Sequence, residues 1–255
     1  MSGVSAVILT YNEEDHISSA LDSVSWCDEI FLVDSQSTDA TREIAREFGA
    51  KIIDAPKPNP CEPYDHLRQL GVDEADNDLI IVIDADETHP PKLQSRLKEI
   101  SQRPLNEIGV VKAPTCNYFN GVRLKGGSQW PGTQVVLFNS NLVEFEPAVH
   151  RYWDYDESNI EVLPTTTDIA IQHEFTESLY DYWQTQRRYA KIAGNNREFS
   201  PFLLLVAPVW VFYKKVILQS GWHDGLTGVG IGLCYSWYRF ELNFWAAIRH
   251  FVKEK

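Results

Sequence analysis

Leu79-Ile80-Ile81-Val82-Ile83-Asp84-Ala85-Asp86-Glu87 is the stretch that decides the fold. Five successive aliphatic side chains between polar stretches predict a strand covered on both faces, as in the parallel sheets of α/β proteins. The acids then fall at its carboxyl end, where open α/β sheets bind ligands. Asp84 and Asp86 alternate along an extended backbone, so two carboxylates can be directed toward one hard cation, which in turn neutralises a diphosphate. A bare Asp-x-Asp is common by chance and also reads as an acidic strand cap; its neighbours decide between the two.

Upstream, residues 5–10 form a predicted first strand, followed by a helical pattern with Ile17, Ala20, Leu21 and Val24 on one face. Residues 29–34 form a second strand, and Asp39 is placed to cap the helix after it, with Gly49 ending that helix. A short third strand at 51–54, a proline-rich loop at 56–63 and a helix over about 64–74 lead to the acid-bearing strand. Strands alternating with helices predict an α/β, Rossmann-like, mostly parallel central sheet with right-handed crossovers. Downstream, Pro90-Pro91 opens a helix to about residue 100, residues 108–150 are strand-like, and the pattern turns helical from Leu179. The expected division is 1–178 and 179–255.

Three strands end in polar side chains: Thr10-Tyr11-Asn12-Glu13, Asp34-Ser35 and Asp84-Ala85-Asp86. In a parallel sheet these ends share one edge and can converge on one ligand. Such a pocket suits a nucleotide base beside Tyr11, a base or ribose donor at Asp34 and a cation with diphosphate at Asp86. No Gly-x-Gly-x-x-Gly follows the first strand and no Walker lysine motif is present, which argues against dinucleotide oxidoreductases and P-loop enzymes. The four cysteines, Cys27, Cys61, Cys116 and Cys234, have neither zinc nor disulfide spacing. With Met1 running almost directly into a strand and no signal segment, the expected location is the cytoplasm.

The net charge of -13 is unevenly placed: residues 1–179 hold 13 Lys/Arg against 31 Asp/Glu, whereas residues 180–255 hold 10 against 5. An acidic body makes nucleic acid an improbable partner, and a basic, tryptophan-bearing tail suits an anionic membrane surface. Residues 202–213 are apolar, but Lys214-Lys215 interrupts them short of the ~20 residues of a spanning helix, so no bilayer crossing is expected. Trp237, Phe240, Phe244, Ile248 and Phe251 recur at helical spacing, opposed by Arg239, Asn243 and His250, as in an interfacial helix. Packing of this stripe on the rest of the chain is the alternative.

Ala6-Val7-Ile8-Leu9-Thr10-Tyr11-Asn12-Glu13-Glu14, Val33-Asp34-Ser35-Gln36-Ser37-Thr38-Asp39 and Ile83-Asp84-Ala85-Asp86-Glu87 resemble, in order and spacing, family 2 glycosyltransferases of GT-A fold. Tyr118-Phe119-Asn120-Gly121, Gly126-Gly127, Val136-Leu137-Phe138, Phe145-Glu146, Val149-His150 and Ile171-Gln172-His173 are similar to the subfamily of bacterial lipopolysaccharide core β-1,4-glucosyltransferases. The resemblance implies a metal-dependent inverting transfer of a hexose from a nucleotide sugar, UDP-linked, to a lipid-linked saccharide at the cytoplasmic face of the inner membrane. On this resemblance residues 1–178 are the nucleotide-sugar-binding catalytic domain and 179–255 a membrane-associating extension. It further implies that Thr10, Tyr11 and Glu13 line the nucleotide pocket, Asp34 meets the uridine, Asp84 and Ala85 lie near ribose or sugar, and Asp86 ligates Mn²⁺ or Mg²⁺. His173 would complete the metal or diphosphate shell. Arg68, in His66-Leu67-Arg68-Gln69-Leu70-Gly71, resembles the arginine of the family's Ala-Arg-Asn-x-Gly segment and either faces the nucleotide or lies on a helix surface.

The chain departs from the family at three places. Gln36 replaces a glycine, which predicts a changed backbone path there because glycine alone enters φ > 0 freely. The acid expected after a proline is Gly132, and a Val-His-Glu segment reads Val149-His150-Arg151. An inverting transfer needs a group to take the acceptor proton and another to stabilise the departing diphosphate. With Gly132 unable to take the proton, Glu146 and His150 are the candidates. Trp130 is a candidate to stack on a sugar ring, and Arg123 and Lys125 to attract an anionic acceptor, unless they form a solvated face. Transfer to a polyprenyl phosphate, already ionised, would also suit the missing acid. A catalytically silent nucleotide-sugar-binding protein is the reading from another class.

Overall fold

The computed structural model describes residues 3–57, 67–145, 153–154, 159–176, 178–194 and 198–253. They fall into two compact units, one drawn from Met1–Asn59, Pro63–Cys116 and Thr133–His173, the other from Pro60–Glu62, Asn117–Gly132 and Glu174–Lys255.

In chain order the elements are β1 (Val4–Thr10), α1 (Ile17–Val24), β2 (Glu29–Asp34), α2 (Thr41–Glu47), β3 (Lys51–Asp54), α3 (Arg68–Asp73), β4 (Leu79–Asp84), β5 (Glu87–Thr88) and α4 (Pro91–Ser101). Then come β6 (Val110–Phe119), β7 (Val122–Arg123), β8 (Gly132–Asn139), β9 (Glu144–Phe145), β10 (Trp153–Asp154), β11 (Ile160–Val162) and β12 (Ile171–Thr176), followed by α5 (Leu179–Gly194), α6 (Pro201–Tyr213) and α7 (Gly225–Lys253). The main sheet has the order β3-β2-β1-β4-β8-β6-β12-β5. Its first four strands are parallel, and β4–β8 and β12–β5 are antiparallel. The result is a mixed sheet whose acid-bearing strand lies at the change of direction.

The aliphatic run behaves as its composition predicts. Leu79, Ile81 and Ile83 pack into one layer with α1 and α4 side chains such as Leu21 and Leu97, while Ile80 and Val82 pack into the other with Val7 and Val33. Alternate residues thus bury on opposite faces, which is why the strand carries no polar position until Asp84. The α2 helix begins at Thr41, two residues after Asp39, whose carboxylate accepts the Thr41 N–H at 3.1 Å and that of Glu14 at 3.1 Å. The helix expected over 64–74 is described only as Arg68–Asp73, since 58–66 lie outside the described residues. Gln36 corrects the expected change of path: it adopts φ +65, the left-handed conformation a glycine would take, and its Nε2 donates to the Ala55 carbonyl at 3.4 Å. A side chain held there costs on the order of 1 kcal/mol, which the hydrogen bond partly offsets.

His89, directly after β5, is 0 % exposed, and neither ring nitrogen has a hydrogen-bond partner among the described residues. Burial pushes its imidazole down to about 3, against about 6.5 in an unfolded chain. Between those values the unfolded chain takes up a proton that the folded one refuses, so stability is full above pH 6.5 and falls as the pH drops toward 3. Going from pH 7 to pH 5 is expected to remove about 2 kcal/mol through this residue. Urea midpoints at the two pH values check it: His89→Leu should flatten the dependence by that amount, and an unchanged dependence would contradict it.

In the second unit, β7 pairs with the end of β6 in a hairpin, Tyr118 opposite Arg123, and Leu124, Tyr182, Ile231 and Cys234 form a small core with the helices. The helix that begins at Pro201 does not stop at the lysine pair. It continues through Lys214–Leu218 as a π-turn, giving 18 residues that by length and composition reach the lower bound for crossing a bilayer. On α7 the apolar stripe is turned to solvent: Trp237, Phe244, Ile248 and Phe251 are exposed, while Leu242 and Ala246 are buried. Asn243, expected on the polar face, is buried as well and donates to the Arg239 carbonyl at 2.7 Å. The stripe thus lies on the exposed face, as an interfacial helix requires, and of the expected polar positions Asn243 is the one that packs inward.

Candidate active site

Parallel register sets Thr10 beside Asp34 and Leu9 beside Asp84. The carboxyl ends of β2, β1 and β4 therefore lie on one edge, about 10 Å across two strand spacings. The loops that follow β1 and β2 are stitched together. Asn12, at φ +56, donates its N–H to Ser37 Oγ at 2.9 Å and accepts the Thr38 N–H at 2.8 Å, and the Glu13 N–H reaches Thr41 Oγ1 at 2.8 Å. Tyr11 stands at the mouth of this loop pair, 39 % exposed, and Thr10 is buried.

Asp34 is fully buried. Its carboxylate accepts the Ser37 N–H at 3.1 Å and Arg42 Nη1 at 3.0 Å, and the same guanidinium reaches Asp54 at 2.7 Å. Ala85 is buried too, its methyl packed in the hydrophobic core, so only its backbone remains for a ligand. Arg68 is not a surface arginine: it is buried at the start of α3 and ion-paired with Asp84, which is partly exposed.

Beyond β4, the carboxylate of Asp86 lies 3.3 Å from His173 Nε2. The antiparallel β12–β5 pair, with His173 opposite Glu87, brings the imidazole there. Burial opposes charge on both partners, but their mutual attraction wins, holding the Asp86 carboxyl below its usual range and lifting His173 to about 9. Glu87 is buried and pushed up to about 7, first by desolvation and then by the charges of Asp84 and Asp86. Its oxygens accept Gln134 Nε2 at 2.8 and 2.9 Å and the Asp84 N–H at 3.1 Å. Glu13 is raised by burial and then by the charge of Asp86, so the loop after β1 senses the one after β4.

Thr10, Glu13, Arg68, Asp84, Asp86 and His173 thus share one edge of the sheet, with Asp34 in the adjoining strand. Glu146 and His150 lie outside the described residues, and Gly132 opens β8. Sequence reasoning missed Glu87 as a participant, although it ends the quoted run of acids. It had no signal for Gln134, whose partner Glu87 lies on a distant strand, or for Arg42, which reaches Asp34 and Asp54 on the strands flanking its own helix.

Residues 5–200 match the family described as Glycosyl transferase family 2. The chain belongs to glycosyltransferase family 2. A Rickettsia typhi protein named an uncharacterized glycosyltransferase is 37% identical over 263 residues, covering 94% of this chain and 85% of its own length. An undecaprenyl-phosphate 4-deoxy-4-formamido-L-arabinose transferase of Edwardsiella ictaluri is 32% identical over 120 residues, covering 43% of this chain and 37% of that protein. The mannosyltransferase PcManGT of Pyrobaculum calidifontis, solved with GDP-Man and Mn²⁺, shares the GT-A fold at a TM-score of 0.52 and 16% identity, covering 100% of this chain and 88% of that one.

For this glycosyltransferase the donor set at the strand end bears on a cation. Among the described residues no group of three or more His, Cys, Asp and Glu side chains is disposed to hold one. Asp86 offers a carboxylate, and His173 would offer an imidazole once a cation displaces the proton it holds in the ion pair. Hard divalent ions in nucleotide sites take one or two protein ligands and fill the rest with phosphate oxygens and water, so the pair fits that role.

Proposed function

We propose that this glycosyltransferase transfers a hexose from a nucleotide sugar, UDP-linked, to a lipid-linked saccharide with inversion, using Mn²⁺ or Mg²⁺. The observation that carries the reading is the meeting of Asp86, His173, Asp84 and Arg68 at the end of β4, beside the loop that follows β1. Asp86 and His173 would hold the cation, which supplies positive charge to the departing diphosphate. Arg68 orients Asp84, and Gln134 with Glu87 fixes the turn between the two aspartates. Both oxygens of Glu87 are engaged, so it positions the turn and does not receive the acceptor's proton. That task stays with Glu146 or His150.

The Edwardsiella relative, named for undecaprenyl phosphate, and the glycine at 132 favour a second acceptor class, a polyprenyl phosphate that needs no base. Release of UDP from UDP-hexoses with Mn²⁺ tests both readings in parallel. Stimulation by lipid-linked saccharide supports the first, stimulation by polyprenyl phosphate the second, and no UDP release with any donor counts against both.

We infer a peripheral location at the cytoplasmic face of the membrane; the exposed apolar side chains of α6 and α7 support membrane association through residues 179–255. Trp237→Ser with Phe244→Ser and Phe251→Ser is expected to weaken flotation with anionic liposomes at least tenfold while leaving UDP binding intact. Equal flotation of the variant would remove the membrane assignment.

A further inference from the structure

A cavity of about 370 Å³ in the second unit is lined by Phe119, Arg123, Lys125, His223, Asp224 and Thr227. Its floor is pinned. The Asp224 carboxylate accepts the Lys125 N–H at 2.9 Å and the Gly126 N–H at 2.7 Å, and a Cβ at Gly126 would lie 2.2 Å from the Ser220 carbonyl, so the loop cannot be thickened there. The guanidinium of Arg123 lies over the Trp130 ring at 5.0 Å, which fixes its orientation.

The Nε–H of Arg123 is buried and has no hydrogen-bond acceptor among the described residues. A desolvated cationic donor of this kind is unfavourable unless an acceptor reaches it. Asp224 does not supply one, being committed to the two amides. Arg123, Lys125 and the His223 ring bring three donor-bearing side chains to one cavity. Two cationic side chains and an imidazole on one cavity suit an anion with several acceptor oxygens, and Phe119 gives one wall an apolar character.

We propose that this cavity binds a phosphate group, the group that an acceptor carried on a lipid phosphate presents. The inference rests on the lipid-linked acceptor reading, and the test separates the two. Thermal shifts of the full chain are measured with octyl phosphate, inorganic phosphate and octyl glucoside, and in parallel with UDP and Mn²⁺. Octyl phosphate should stabilise the wild type saturably and octyl glucoside should not. Lys125→Gln, on an exposed side chain, and Arg123→Gln should each weaken the octyl phosphate response at least tenfold. Lys92→Gln, a remote surface cation, should leave it unchanged, and all three variants should retain the UDP response. An equal, equally Lys125-dependent response to inorganic phosphate keeps the site and overturns the lipid source. No phosphate response, or one indifferent to both substitutions, overturns the proposal. A missing UDP response would instead count against the donor reading, whatever the phosphate result.

Discussion

Asp86→Ala is expected to lower sugar transfer by about 10³-fold or more, equivalent to roughly 4 kcal/mol of lost transition-state stabilisation. The departing diphosphate gains charge as the sugar leaves, and Asp86 with His173 is where a compensating cation would be held. The substitution also releases His173 from the partner that lifts its imidazole, so His173→Ala should fall in the same direction. Combining the two should cost little more than Asp86→Ala alone, because both act on one spot. Parallel thermal unfolding separates lost chemistry from lost folding. Near-wild-type transfer by a folded Asp86→Ala protein would refute the assigned role.

The second large effect is on stability. Arg42→Ala leaves the fully buried Asp34 carboxylate with only the Ser37 amide among the hydrogen bonds seen at it. Removing one partner of a buried ion pair costs about 3–5 kcal/mol, because the remaining charge stays desolvated. For a protein of this size that corresponds to a fall in Tm of roughly 10 °C. The Asp54 arm of the same guanidinium contributes little, since that carboxylate is largely exposed. Adding Asp34→Asn to Arg42→Ala should recover part of the loss. A loss below about 1 kcal/mol would place the pair among ordinary surface bridges.

The same pair marks the limit of what the sequence discloses. The buried strand β4 and the acids at its end were legible because a run buried on both faces can carry polar side chains only at its ends. Asp34 was legible as a strand terminus, but nothing local announced that Arg42, the second residue of the next helix, would close over it. Gln36 was misread for a related reason. The rule that φ > 0 favours glycine is a matter of about 1 kcal/mol, and the surrounding loop contacts outweigh it. His173 was placed by family likeness alone, since only the antiparallel β12–β5 pairing brings it to Asp86 across nearly ninety residues of chain. On α7 periodicity found the aromatic stripe. It did not show that the opposite face packs through small residues such as Ala246 and Gly232, which give a weak hydrophobic signal.

The central claim is that the loops after β1, β2 and β4 surround one nucleoside diphosphate and its counter-ion. A crystal grown with UDP and Mn²⁺ reads this directly through the anomalous signal of manganese. The account predicts a manganese peak within ligand distance of Asp86 and His173, with diphosphate oxygens completing its shell and the uracil beside Tyr11. UDP bound with its diphosphate remote from Asp86, or manganese bound elsewhere while Asp86 and His173 keep their mutual contact, would contradict it.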